Sequence, residues 1–252
     1  LKWVQSCSSG VGHILDLGLI DKNVRLTNAA GVHANALAES IIAAILFQAK
    51  QFQQRINNQR DKLWQELHCT ELTGQTVLII GTGNIGIETA QRAKAFGITT
   101  VGIRRTIKPA PGFDIIGDHS DLKRYLKTAD FVVIACPLTA DTEGMIGAAE
   151  LAMMKPNSYL INIARGKIID ETALRDSIIK GQIGGAYLDA LTEEPLPSEH
   201  PLWDTPGITI VPHDSHSSPL IGDNIINVFT ENLRCYVNDQ PLNNLVDLTK
   251  GY

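Results

Sequence analysis

The chain has 252 residues, 44% of them hydrophobic, enough for one sizeable core or for one domain with part of another. Its formal net charge is −5 and no run of lysine and arginine exceeds two residues, so neither nucleic acid nor an anionic membrane surface has an electrostatic footprint here. Cys7, Cys69, Cys136 and Cys235 stand far apart without metal-ligand or disulfide spacing, no apolar stretch approaches the ~20 residues of a membrane span, and the opening residues do not read as a signal peptide, which together suggest a reduced, cytoplasmic setting with no metal site.

In chain order, "LKWVQSCSSGVGHIL" reads as a strand entering a glycine turn, and "VRLTNAA" as a second short strand. Because the first of these already looks like the middle of a fold, a further segment is expected upstream. From Ala36 to Trp64 there is neither Gly nor Pro, and the spacing predicts one long helix of roughly 40 Å. Its Ile41, Ile42, Ile45, Leu46, Ala49, Phe52 and Ile56 recur at helical spacing and imply one buried face, packed on the protein's own sheet or on a second subunit.

Next come apolar runs alternating with helical patterns, the sequence form of a parallel sheet covered on both faces. Six strands are expected: "TVLIIG" from Thr76, "TTVGI" from Thr99, "FVVIA" from Phe131, "YLINI" from Tyr159, "GAYLDA" from Gly185 and "ITIV" from Ile208. Helices are expected over Ile85 to Phe96, in "DLKRYLKTA" from Asp121, and in "DETALRDSIIKG", where Asp170 can cap the start and Gly181 the end. Cys136 follows an apolar strand and reads as a small buried hydrophobe, not a nucleophile. Near the end, "PLIGDNIINVFTENLRCYVNDQ" spaces Ile225, Ile226, Phe229, Leu233 and Val237 for one buried helix face.

Between the first strand of the parallel set and its helix lies "GTGNIG". A GxGxxG alone is weak, but here a strand precedes it, a helix follows and the next strand ends about twenty residues on. Gly81 permits the tight turn, Gly83 lets the backbone approach a pyrophosphate, and Gly86 lets helix and strand pack closely. Asn84 and Ile85 open the helix, whose free N–H groups attract phosphate. An acidic residue at the end of the second strand would accept the ribose hydroxyls of NAD; this strand ends instead in Arg104, Arg105 and Thr106, which suit an adenosine 2′-phosphate and hence NADP, with NAD possible. The alternative is a pair of solvated surface arginines.

Three later stretches, "CPLTADTEGMIGAAELAMMKPNSYLINIARGKIIDETAL", "GGAYLDALTEEPLP" and "PLWDTPGITIVPHDSHSS", resemble in order and spacing the D-isomer-specific 2-hydroxyacid dehydrogenase family, specifically its NADP-preferring glyoxylate/hydroxypyruvate reductase-like branch, over nearly the whole chain. The resemblance implies a doubly wound Rossmann domain over residues 30–218. It also implies a flavodoxin-like substrate domain, N-terminally incomplete, of which residues 1–29 and 219–252 would be the remnant. "NNLVDLTKGY" resembles the family's natural C-terminus, so about half a domain is expected before Leu1.

Carried over by position, the resemblance makes Arg165 the arginine that binds the carboxylate and carbonyl of a 2-oxo acid, His213 the proton donor and Glu194 its acidic partner. It makes Asp189 the partner of the nicotinamide carboxamide, sets Cys136, Pro137, Thr142, Ile163 and Ala164, with His213, along the cofactor, and gives Ser9 and Gly10 the substrate carboxylate. Those types suit the chemistry: hydride arrives as negative charge grows on oxygen, so a fixed cation and a proton donor are needed, and a carboxylate beside an imidazole favours its protonated form. Taken singly, Arg165 could instead pair with Asp170, and Glu194 and His213 could be surface and strand-end residues.

Gly12, where many relatives have Asp, and His216, where small residues are frequent, depart from the pattern; His216 is expected to serve structure or specificity. The implied function is reduction of a small 2-oxo acid with NADPH in a homodimer formed through the 36–64 region. The alternative is a nucleotide-sensing, protein-binding corepressor-like member of the same fold.

Overall fold

The computed structural model describes residues 1–18, 20 and 23–248, apart from the side chain of His13. The last four residues of "NNLVDLTKGY", part of the expected remnant, lie outside the described residues. The elements in chain order are β1 (Trp3–Gln5), α1 (Gly12–Leu15), β2 (Arg25–Thr27), α2 (Ala34–Ala49), α3 (Phe52–Arg60), β3 (Thr76–Ile80), α4 (Asn84–Ala95), β4 (Thr99–Ile103) and β5 (Ile115–Gly117). There follow α5 (Leu122–Leu126), β6 (Phe131–Ile134), α6 (Ala148–Leu151), β7 (Tyr159–Asn162), α7 (Glu171–Ile179), β8 (Gly185–Leu188), β9 (Ile208–Ile210) and α8 (Ile221–Val237).

The chain divides into two compact units, Ala36–His216 and Leu1–Asn35 with Ser217–Tyr252. The larger is built on a seven-stranded, wholly parallel sheet in the order β5-β4-β3-β6-β7-β8-β9. The chain starts in the middle at β3, winds to one edge, then returns to pair β6 with the other side of β3, so the switch point lies between β3 and β6. Burial on both faces explains the unbroken runs "VLII", "FVVI" and "YLIN", whose residues are all buried. Leu78, Ile80, Val132, Ile134 and Leu160 face one apolar cluster, and Val77, Ile79, Val133 and Ile161 face the other.

All six expected strands form, and a seventh, β5, joins the edge beyond β4. Its three residues "IIG" are too short to show a period; its anchor is Asp114, just before it. Asp114 Oδ2 accepts from the backbone N–H and hydroxyl of Thr100, at 2.9 Å each, and Oδ1 meets Lys94 Nζ at 2.6 Å. The Lys94 contact and the Thr100 bonds hold that carboxyl below its ordinary range despite partial burial. As expected, Asp170 caps α7, accepting from Ala173 N–H at 2.9 Å, and Gly181 follows its end with φ +67°.

The single helix expected over 36–64 is corrected to two. Gln51 takes a left-handed conformation, φ 52°, between α2 and α3. The end of α2 is claimed by a later segment: Ala49 O accepts from Thr70 N–H at 3.0 Å and Lys50 O accepts from Cys69 Sγ and Arg55 Nε. Such tertiary partners for the last carbonyls end the helix where propensity alone would continue it. Of the expected buried face, Ile41, Ile42, Ile45 and Ala49 pack on the sheet, whereas Phe52 and Ile56 are exposed together with Leu63 and Trp64.

In the smaller unit β1 and β2 form a parallel pair. Among the described residues Val11, Leu26 and Val246 are buried together in its core. The α8 helix is attached through Asn232, fully buried, whose Nδ2 reaches Gln5 Oε1 at 2.8 Å, and through Trp3, stacked on Phe229 and Tyr236. The helix face expected to be buried is mostly open: Ile226, Phe229, Leu233 and Val237 are exposed and only Ile225 is half-buried.

Candidate active site

The C-terminal ends of β3 and β4 set the first part of the site. Their register pairs Ile80 with Ile103, so Gly81 and Arg104 leave the sheet side by side, with Gly81 N–H donating to Ile103 O at 2.9 Å. Gly81 has φ +109°, and a Cβ there would lie 2.5 Å from Ala135 O; a Cβ on Gly86 would lie 2.1 Å from Gly81 O. Both glycines are required by the fold. Gly83 differs: its φ is −81°, which any residue adopts, and a Cβ would meet nothing within 4 Å. Neither the backbone nor a neighbour asks for glycine there, and no side chain caps α4, which begins at Asn84. An uncapped helix N-terminus behind an unobstructed glycine fits the pyrophosphate of a dinucleotide.

Ile85 is half-buried behind that turn, while Arg105 and Thr106 are exposed. Arg104 is half-buried, its N–H donating to Gly117 O at 3.1 Å and its Nη1 to Lys108 O at 3.4 Å. Across the switch point, the chain leaves β6 through Cys136 and Pro137. Burial pushes the Cys136 thiol up to about 11, so it holds no thiolate at neutral pH. Thr142 Oγ1 donates to Pro137 O and accepts from Thr139 N–H, both at 2.8 Å, and thus shapes this loop. Ile163 and Ala164, after β7, are buried and leave only backbone for a ligand.

Arg165 is exposed just beyond them, and its position is set by Asn162, which the sequence reading did not single out. Asn162 is fully buried; its Oδ1 accepts from Ala164 N–H at 3.0 Å and its Nδ2 donates to Arg165 O at 3.0 Å. Gly166 then passes so close to the next loop that a Cβ would lie 2.0 Å from Leu191 C, which brings the Arg165 turn against the segment carrying Glu194. Asp170 Oδ1 caps α7, and the Arg165 guanidinium turns instead to its neighbour, Nη1 donating to Ala164 O at 2.7 Å.

Glu194 Oε1 accepts from Leu191 N–H at 2.9 Å, and Oε2 lies 2.8 Å from His213 Nδ1. Partial burial alone would raise the Glu194 carboxyl, but the Leu191 N–H, His213 and the charge of Arg165 outweigh it and hold the group below its ordinary value. A carboxylate at Nδ1 fixes a proton on that nitrogen and turns Nε2 outward. His213 follows β9 in a left-handed conformation, φ 54°. Asp189, at the end of β8, is buried; its Oδ1 accepts from Ser215 N–H at 3.0 Å, leaving Oδ2 for another donor. His216 is half-buried, three residues from His213.

A profile of the D-isomer specific 2-hydroxyacid dehydrogenase NAD-binding domain matches residues 42–215. The chain belongs to that family. The resemblance read from its motifs is therefore borne out, and the seven-stranded unit is the family's dinucleotide-binding domain. Among the dehydrogenases it resembles, a glyoxylate reductase of Thermococcus gammatolerans is 32% identical over 90% of this chain and 70% of its own. The crystal structure of an NADPH-dependent glyoxylate/hydroxypyruvate reductase from Sinorhizobium meliloti, in complex with NADP and sulfate, is 29% identical with a TM-score of 0.91, covering 100% of this chain and 80% of that one. A family member from Xanthobacter autotrophicus, in complex with NADPH and MES, is 28% identical with a TM-score of 0.91, covering 100% and 79%.

Ser9 and Gly10 belong to the smaller unit and Arg165, Glu194 and His213 to the larger. Both loop residues are exposed. Asn28, buried and also not singled out beforehand, donates from Nδ2 to Ser9 O at 2.9 Å, and Asn244 Nδ2 reaches Asn28 O and Ala30 O. Gly12 opens α1 with open space where a Cβ would stand. Among the described residues no group of three or more His, Cys, Asp or Glu could hold a metal, and no helix is long and apolar enough to cross a membrane.

Proposed function

We propose that this dehydrogenase reduces a small 2-oxo acid to the D-2-hydroxy acid with NADPH. The observation that carries the reading is the 2.8 Å contact of His213 Nδ1 with Glu194 Oε2, close enough to Arg165 for its charge to act on Glu194. The bound nicotinamide supplies the hydride. As charge grows on the carbonyl oxygen, the Arg165 guanidinium stabilises it and His213 delivers a proton from Nε2, while Glu194 holds the ring and balances its charge. Asp189 would accept from the nicotinamide carboxamide, Gly81, Gly83, Asn84, Ile85 and Gly86 would hold the pyrophosphate, and the loops with Cys136, Pro137, Thr142, Ile163 and Ala164 would flank the cofactor. Arg104, Arg105 and Thr106 take the adenosine 2′-phosphate, and Ser9 and Gly10 the substrate carboxylate through backbone N–H groups.

Domain limits of 30–218 for the nucleotide part, with 1–29 and 219–252 on the substrate side, accompany this reading. So does a homodimer seated on α3 and the residues after it, where Phe52, Ile56, Leu63 and Trp64 are exposed together.

The decisive experiment follows NADPH absorbance at 340 nm while glyoxylate, hydroxypyruvate and larger 2-oxo acids are added, then repeats with NADH. Turnover with at least one acid, faster with NADPH, is expected. Tight NADPH binding with no turnover on any acid would defeat the reading and favour a nucleotide-sensing role.

A further inference from the structure

His213 keeps a left-handed backbone conformation, φ 54°, which is strained for a non-glycine residue, so its surroundings must over-determine it. Upstream the restraint is plain: Val211 N–H donates to Leu188 O and His213 N–H to Val211 O, both at 2.9 Å. Downstream everything converges on Ser215, buried two residues later. Its N–H is taken by Asp189 Oδ1 at 3.0 Å, its carbonyl accepts from Ser40 Oγ of α2 at 2.8 Å, and its hydroxyl lies 2.7 Å from the Tyr187 hydroxyl. Every polar group of Ser215 is thereby engaged, by β8, by the end of β8 and by α2. Tyr187 points to the α2 side of the sheet, where its ring packs against the cluster containing Leu37 and Ile41.

We propose that Tyr187 is a positioning residue: through Ser215 it locks the 212–216 loop so that His213 stays on Glu194. This deepens the reading of His213 as proton donor and rests on it. The phenol suits the task because burial raises its pKa, outweighing the Ser215 bond, with Asp189 and Asp214 adding to the rise, so it remains a neutral hydrogen-bonding group. With Asp189 Oδ1 and Ser40 holding the backbone of residue 215, the Tyr187 bond is the restraint on its side chain, and it crosses from a rigid strand to the loop.

The test uses Tyr187→Phe, which removes one oxygen and keeps the ring, and Ser215→Ala, which removes the other partner. Each should lower kcat for 2-oxo acid reduction about fivefold, the equivalent of one neutral hydrogen bond, with NADPH affinity and Tm close to the parent's. The double variant should be no slower than the slower single, since the two hydroxyls form one contact. Independently of turnover, the low-field Nδ1 proton of His213, assigned by its absence in His213→Ala, should broaden through solvent exchange in both variants. A resonance unchanged from the parent's in both overturns the proposal whatever happens to kcat. If the parent reduces no 2-oxo acid, the functional reading has failed, and the resonance still decides the positioning role by itself.

Discussion

At the scale of single residues, the proposed function assigns the chemistry to His213 and Arg165. His213→Ala or Arg165→Ala should therefore lower kcat ~100-fold or more, the usual contribution of a positioned acid or charge stabiliser, with NADPH affinity measured by fluorescence little changed. Glu194→Gln acts differently. Its carboxyl is held below the ordinary value, so the bond to His213 contributes fully above that value and is lost only as pH falls through the depressed one; near neutrality the pair is intact. Removing the anion disfavours the imidazolium, and the alkaline limb of the reduction profile should move to lower pH; an unmoved limb would take Glu194 out of its role. Arg104 and Arg105, replaced together by Ala, should weaken NADPH binding by about 2–4 kcal/mol after allowing for exposure, and NADH hardly at all. Arg165, Glu194 and His213 were legible because they sit in contiguous motifs. Asn162, Asn28 and Ser215 were not, because what matters about each is a partner distant in sequence, such as Tyr187 for Ser215.

At the scale of elements, the turn between β3 and α4 separates two reasons for glycine. Gly81→Ala should unfold the domain or lower its Tm sharply, since the new methyl meets the Ala135 backbone at a left-handed φ. Gly83→Ala should leave Tm near the parent's and weaken NADPH binding; differential scanning calorimetry and titration on the same samples distinguish them. The strands were legible from their apolar runs, whereas the end of α2 was not, because the chain of good helix formers contains no break and the Cys69–Thr70 segment supplies it from outside. That break leaves α3 with an exposed apolar face. If a second copy covers it, Ile56→Lys with Trp64→Ser should shift the particle mass in light scattering from dimer to monomer.

At the scale of the molecule, both large apolar clusters of the described residues lie inside Ala36–His216. Nucleotide bound at the turn after β3 should therefore raise hydrogen-exchange protection in the larger unit; amides there that exchange equally fast with and without NADPH would contradict this. The sheet order has a consequence for synthesis. β3 is made first of its seven strands yet ends in the middle, flanked by β4 and β6. At 5–20 residues per second, the roughly fifty residues between Ile80 and Phe131 take several seconds to leave the ribosome, and until then one edge of "VLII" has no partner. A segment fully covered in the finished protein thus spends seconds uncovered in the nascent chain, and a holdase would find an apolar edge to hold there.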